Sequence, residues 1–343
     1  MKVAVAGAGA IGGLFAARLA KTGASEVSVL ARGATLQALK AKGLRLLASG
    51  IESAFSTPVN ASDSALALGV QDVVIVAIKA TGLEALARFI EPLIGPQTII
   101  VSAMNGLPWW FGVQRNPQPR WALDPLSSTD PEGRLREVMP PAQVIGCVTH
   151  LSASSPEPAV VQPGAGQRVL FGDPSHPGER SSERLSAIVG LFAQAGFDVV
   201  SSPDIERELW IKLWGNMTMN PASAITGATG DLILDDPDVR EFLSAIMREA
   251  AKVGEHIGLP IAMLPEERHA MTRKLGAFRT SMLQDADALK PLELDALLAA
   301  PIELGERVGV PMPFARALLG LARVRNLTLQ RQAHQQVAAQ QPG

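Results

Sequence analysis

Lys212, Asn216 and Asn220 recur at every fourth residue, so at about 100° per residue they fall on one face of any helix that carries them. Asparagine is a poor helix former, because its side chain competes for backbone hydrogen bonds. Its repetition beside a lysine therefore needs a reason other than helix stability. An ammonium donates hydrogen bonds, and a carboxamide both donates and accepts them, so the three together could line a polar site. Taken singly, each residue reads as solvated surface. Trp210, Trp214 and Met219 flank the stripe, which suits a face turned toward a cleft.

A second constellation stands at the start of the chain, where Gly7-Ala8-Gly9-Ala10-Ile11-Gly12 forms a GxGxxG directly after the apolar run 2–6. Following a strand and opening a helix, the first glycine permits a tight turn and the second lets a pyrophosphate approach the backbone. The third lets helix and strand pack closely. The amides of Gly9, Ala10, Ile11 and Gly12 then face the phosphates with the positive end of the helix dipole. About 20 residues on, where an NAD-binding unit carries an acid for the ribose hydroxyls, the chain reads Leu30-Ala31-Arg32-Gly33. An arginine without an acid suits a 2′-phosphate, so NADP(H) is the expected cofactor.

Elements must position these groups. Short apolar runs at 27–30, 73–78 and 98–101 alternate with helical segments, which implies right-handed crossovers and a parallel sheet covered on both faces. Further strands are expected at 144–148, 159–162, 168–171 and 197–200, with a helix at 182–195. Beyond Ser201-Ser202-Pro203 the β signal stops, and 205–219, 239–257, 264–276, 289–298 and 314–329 read as helices. The expected fold is an α/β doubly wound parallel sheet over 1–202 followed by an all-α domain over 203–329. The glutamine-rich tail, 330–343, is expected to be disordered. Within 1–202 lies a Pro-rich insertion, 108–141, whose Trp109, Trp110, Phe111 and Trp121 could pack on themselves, wall a pocket or meet another subunit.

Composition agrees with a two-domain enzyme. The 343 residues are 47% hydrophobic and 19% charged with a net charge of −2, which argues against disorder and against a nucleic-acid or anionic-membrane partner. Cys147 stands alone and the five histidines show no metal spacing, so disulfides and metal sites are not expected, and a reducing cytoplasm is. The cluster His150, Ser152, Ser154, Ser155 lacks a GxSxG elbow, and Glu266-Glu267-Arg268-His269 reads as surface.

The motifs taken in order resemble the ketopantoate reductases (2-dehydropantoate 2-reductases). The resemblance rests on Gly7, Gly9 and Gly12; Lys79 after Val76-Ala77-Ile78; Asn105 in Met104-Asn105-Gly106; Lys212, Asn216 and Asn220; Ser281; and Glu293. It implies a Rossmann-like domain and a helical domain similar to the C-terminal domain of 6-phosphogluconate dehydrogenase. The implied reaction is NADPH-dependent reduction of 2-dehydropantoate to (R)-pantoate, on the route to pantothenate and coenzyme A, in a cleft between the domains. It further implies that Lys212 is the general acid and that Glu293 holds the lysine or a substrate hydroxyl. Asn216 and Asn220 would bind the substrate's polar groups, and Asn105 and Ser281 its carboxylate or the nicotinamide. Lys79 would lie near the nicotinamide and Arg32 at the 2′-phosphate. Met104 stands where the family often has glutamine, and the 108–141 segment is longer than the family's core needs, so another 2-keto acid is the alternative substrate. A non-catalytic NADP(H)-sensing protein is a third reading, and a homodimer is compatible with all of them.

Overall fold

The computed structural model describes residues 1–50, 53–115 and 117–340, and the chain divides into two compact units. The first comprises Met1–Met104, Pro108–Leu123 and Glu132–Glu208. The second comprises Asn105–Leu107, Asp124–Pro131 and Leu209–Gly343. The boundary thus falls at 208/209 rather than 202/203, and two short pieces from the 105–131 region belong with the second unit.

Among the described residues twelve strands build the first unit: β1 Lys2–Ala6, β2 Glu26–Leu30, β3 Leu44–Leu46, β4 Phe55–Thr57, β5 Asn60–Ser62, β6 Val73–Val76, β7 Ile99–Ser102, β8 Val144–His150, β9 Ala153–Glu157, β10 Val160–Pro163, β11 Arg168–Gly172 and β12 Asp198–Ser201. Eight of them form one sheet in the order β12-β11-β8-β7-β6-β1-β2-β5. Pairing is parallel throughout except between β8 and β11. β1 and β6, at the centre, are valine-rich and almost wholly buried, as strands covered on both faces must be. The remaining four strands form a second sheet in the order β4-β3-β10-β9. Sequence periodicity missed most of this sheet, because β3 and β4 have three residues each, too few to show alternation, and β9, Ala-Ser-Ser-Pro-Glu, has no apolar face to alternate.

The helix after the glycine turn, α1 (Ala10–Thr22), packs against strands of both sheets. Its Phe15 meets Phe192 and Phe197 edge-on at 4.9 and 5.3 Å, a geometry that aromatic quadrupoles favour. Gly13 is glycine because a Cβ there would come within 2.6 Å of Val161 on β10. The other helices of this unit are α2 Gly33–Lys42, α3 Ala65–Leu68, α4 Leu83–Ala87, α5 Arg134–Val138 and α6 Glu183–Gln194.

The aromatic insertion is core. Trp109, Trp110 and Phe111 are buried, with the Trp109 indole donating to the Met139 carbonyl at 2.9 Å and Phe111 packing on Trp121. Glu206 closes the loop by accepting from the Gly112 amide at 2.6 Å and pairing with Arg115 at 2.5 Å. These three side chains therefore offer no exposed surface to a substrate or subunit. Asn116 lies outside the described residues.

The second unit is helical. α7 (Ile205–Thr226) crosses the unit boundary, and α8 Gly230–Asp235, α9 Pro237–His256, α10 Pro265–Arg273, α11 Ser281–Asp287, α12 Ala300–Arg307 and α13 Pro313–Gln340 follow. α9 is the pillar. Pro237 occupies its first turn and the Asp236 carboxylate caps the Asp238 and Val239 amides, which fixes where the helix starts. Its apolar side is buried, and the Met247 carbonyl accepts from the Trp214 indole at 2.7 Å.

Two expectations fail here. Residues 289–298 are not a helix: Leu289 sits at φ 51°, the chain runs irregular to Glu293, and Asp295–Ala299 forms a π-helical turn leading into α12. Residues 330–340 are not disordered but continue α13, although they lack a continuous apolar stripe; Gln341 and the two residues after it lie outside the described residues. No helix among the described residues is long and apolar enough to cross a membrane.

Candidate active site

In the first unit the glycine turn has the form its spacing predicts. Gly7 sits at φ +103°, and a Cβ on it would overlap Ile78 and approach the Ala77 carbonyl oxygen at 2.9 Å. A Cβ on Gly12 would overlap the Gly7 carbonyl oxygen. Both glycines therefore serve close packing. Gly9 differs, since nothing lies within 4 Å of the place its Cβ would occupy. It is the N-cap of α1, makes no side-chain cap, and is followed by a first turn without an acid. Uncapped amides, a positive helix end and open space at Gly9 together fit a pyrophosphate.

Arg32 is exposed at the end of β2, where it begins α2. Its guanidinium carbon lies 3.8 Å from the centroid of the Phe89 ring. Stacking on an aromatic face fixes the guanidinium plane and leaves its N–H edge available to a phosphate. Sequence reading missed Phe89, which lies far away along the chain and announces itself only by being a half-buried aromatic beyond α4. Lys79 is exposed and stands one residue beyond Ile78, the residue that packs on Gly7.

In the second unit α7 carries three of the other predicted groups. Lys212 and Asn216 are half-buried and Asn220 is buried. Pro221, inside the helix, removes the amide that would otherwise bond the Met217 carbonyl. A cavity of about 450 Å³, its open mouth included, is lined by both asparagines, with Gly215 and Met219 on the same helix and Arg268, His269 and Thr272 on α10. A Cβ on Gly215 would lie 2.5 to 3.0 Å from three guanidinium atoms of Arg268, so this glycine, between Lys212 and Asn216, is what admits the arginine. A larger concavity in the first unit, lined by Leu39–Gly43 and Ser56–Ala61, holds none of the candidate residues.

One reassignment and one placement follow. His269 is buried rather than superficial, with Nε2 2.9 Å from the Ser244 hydroxyl. Burial lowers its pKa against the pull of Glu266, and Arg240, Arg273 and Arg268 lower it further. Ser281 is exposed at the first position of α11, and the cap belongs to its neighbour Thr280, which accepts from the Leu283 amide at 3.0 Å. Thr280 also shares a 2.6 Å hydrogen bond with Ser223, whose hydroxyl donates to the Asn220 carbonyl at 2.8 Å. That buried chain fastens the Ser281 turn to the asparagine-bearing part of α7.

Asn105 is half-buried. Gly106 after it has φ +83°, and its missing Cβ would lie 2.6 Å from the Ala296 backbone. The Leu107 amide donates to the Ala296 carbonyl at 2.9 Å. Asn105 is thus moored to the π-helical turn that follows buried Glu293, and π turns commonly mark functional positions. Among the described residues no three His, Cys, Asp or Glu side chains gather as a metal site.

Family models agree with this layout. Residues 3–118 match the model described as "Ketopantoate reductase PanE/ApbA", and residues 204–326 match that of its C-terminal domain. A 2-dehydropantoate 2-reductase of Mesorhizobium japonicum is 39% identical over 94% of this chain and 97% of its own length. One from Nostoc is 26% identical over 91% of each. Among solved structures, one from Ralstonia solanacearum MolK2, described as a ketopantoate reductase, superposes with a TM-score of 0.90 at 49% identity, covering 95% of this chain and 98% of the other. The 2-dehydropantoate 2-reductase of Methylococcus capsulatus gives 0.79 at 26%, covering 96% and 98%.

Proposed function

The chain belongs to the ketopantoate reductase family, oxidoreductases that act on a CH–OH group, and from that premise we propose that it reduces 2-dehydropantoate to (R)-pantoate with NADPH, in the cytoplasm. The observation that carries the reading is the Lys212–Asn216–Asn220 face of α7, two of whose members line a cavity. A scaffold or sensor needs the glycine turn but has no use for an ammonium and two carboxamides set side by side.

NADPH, when bound, supplies the hydride that reaches the ketone carbon. Gly9 and the first amides of α1 hold the pyrophosphate, and Arg32, oriented by Phe89, takes the 2′-phosphate in place of the acid that NAD would require. Lys79 lies toward the nicotinamide end. Lys212 donates its Nζ proton to the carbonyl oxygen as negative charge develops there, and its positive charge stabilises the forming alkoxide before the transfer is complete. Glu293, buried beside the π turn, holds the Lys212 ammonium or the substrate hydroxyl. Asn216 and Asn220 orient the substrate's polar groups, with Asn105 and Ser281 fixing its carboxylate or the nicotinamide. Loss of NADPH absorbance with 2-dehydropantoate and a panel of branched 2-keto acids tests the reading. Turnover fastest with 2-dehydropantoate is the expected result, and tight NADPH binding with no turnover across the panel would overturn it.

A further inference from the structure

One charged group near α7 has no part in the reaction as described. Arg268, on α10, is half-buried, and its Nε is inaccessible to solvent with no hydrogen-bond partner. No acidic residue lines the cavity it enters: the polar groups there are the carboxamides of Asn216 and Asn220 and the hydroxyls of Thr218 and Thr272. His269, its neighbour, is held toward the neutral form by burial. The adjacent acids are engaged elsewhere, Glu267 accepting from the Leu264 amide at 2.8 Å and Glu266 lying exposed. Burial pulls the guanidinium pKa down, with no carboxylate opposing it.

A cation partly withdrawn from water without a counter-charge is costly and persists only where something compensates for it. The backbone makes room for this one, because a Cβ at Gly215 would lie 2.5 to 3.0 Å from three guanidinium atoms and displace them from α7. On the functional reading above, we infer that Arg268 is the anion anchor of the substrate pocket: it takes the carboxylate of the 2-keto acid through charge-assisted hydrogen bonds, leaving Asn105 and Ser281 to the nicotinamide, while Asn216 and Asn220 contact the rest of the molecule. A planar fork of N–H donors matches a carboxylate. The selectivity that follows is for free acids over their neutral esters.

The test uses the full-length protein with NADPH, 2-dehydropantoate and its methyl ester. Arg268→Met keeps the length of the side chain and removes the charge. Its KM for the acid is expected to rise by roughly 30-fold with kcat within about threefold, since a hydrogen bond to a charged group is worth one to two decades of affinity. KM for the ester should not change, and the Tm should hold or increase, because an uncompensated buried charge is lost. Arg268→Gln, which retains donors without charge, should behave likewise and covers the case of a methionine variant that fails to fold. An acid KM within twofold of wild type in either folded variant, or equal increases for acid and ester, overturns the anchor. Wild-type inactivity on every 2-keto acid is a separate outcome: it overturns the proposed reaction itself, and the carboxylate assignment with it.

Discussion

The two units build their sites from opposite materials. In the first, the glycine turn proposed to bind the phosphates is made of backbone, and its shape depends on atoms that are missing: a methyl on Gly7 or Gly12 collides with main chain or with Ile78. In the second, the site is made of side chains projected from α7, α10 and the turn before the π segment, and it depends on atoms that are present. A backbone site is damaged by addition, and a side-chain site by removal. The glycine turn can therefore be read from spacing alone, whereas the polar face needs packing to give it meaning. Substitutions that add to one unit and subtract from the other test the contrast directly.

Removal at Lys212 should have the largest effect. On the proposed mechanism, Lys212→Ala takes away both the proton donor and the charge facing the forming alkoxide, and kcat should fall by roughly 10³-fold or more. NADPH affinity, measured by fluorescence titration, should be unchanged because the cofactor turn belongs to the other unit. A variant with wild-type kcat would remove the lysine from the mechanism.

Addition at the glycines comes next and separates packing from binding. Gly12→Ala forces a methyl into the Gly7 carbonyl, so it should cost about 1–3 kcal/mol of stability as overpacking and weaken NADPH at least tenfold. Gly9→Ala meets no protein atom within 4 Å and keeps an extended φ of −75°. It should leave the Tm untouched and still weaken NADPH, because the open space above it is reserved for the pyrophosphate. Equal cofactor affinity in Gly9→Ala and wild type would show that the phosphates lie elsewhere.

Arg32→Ala is a removal within the unit built from backbone, and its effect should be smaller. Losing a charge-assisted contact to a 2′-phosphate corresponds to about 1.5–3 kcal/mol, or roughly 10- to 100-fold in KM for NADPH, with KM for NADH little changed. Phe89→Ala should give a part of the same shift, since the ring only orients the guanidinium.

Legibility follows the same division. β1, the glycine turn and α1 could be read because each is local: an apolar run, three glycines at fixed offsets and a helical period. Of the small sheet only β10 could be read, since β3 is too short to show a pattern and pairs with β10 across more than a hundred residues. The helix assigned to 289–298 failed because its composition is helical while a left-handed Leu289 and the π turn are imposed by tertiary packing against Gly106 and Leu107. Arg268 and His269 looked like surface within a charged run, and only the absence of a Cβ at Gly215 reveals that the arginine is admitted to α7. A glycine in a helix beside a lysine and an asparagine was the available signal.

The contrast extends to how each unit holds its share of the long loop, and the effect there is the smallest. Glu206 is buried against Gly112 and Arg115, and burial pushes its carboxyl above the usual 4.5 despite both partners. Glu303 accepts from the Ser127 amide at 2.9 Å, from the Ser128 amide and hydroxyl at 2.9 and 2.7 Å, and from Arg307 at 2.7 Å. Burial raises its pKa too, but these donors outweigh it and hold the carboxyl below 4.5. Linkage gives the two opposite signs. The contribution of Glu303 is complete above pH 4.5, its unfolded value, and is lost as pH falls through its lower folded value. The contribution of Glu206 is complete below 4.5 and is lost as pH rises through its higher folded value. Melting curves across the acid range should therefore show the Tm gap between wild type and Glu303→Gln closing below pH 4.5, and the gap to Glu206→Gln widening as pH falls toward 4.5 from above. Parallel gaps for both variants would mean that donor number does not decide which carboxylate burial overcomes.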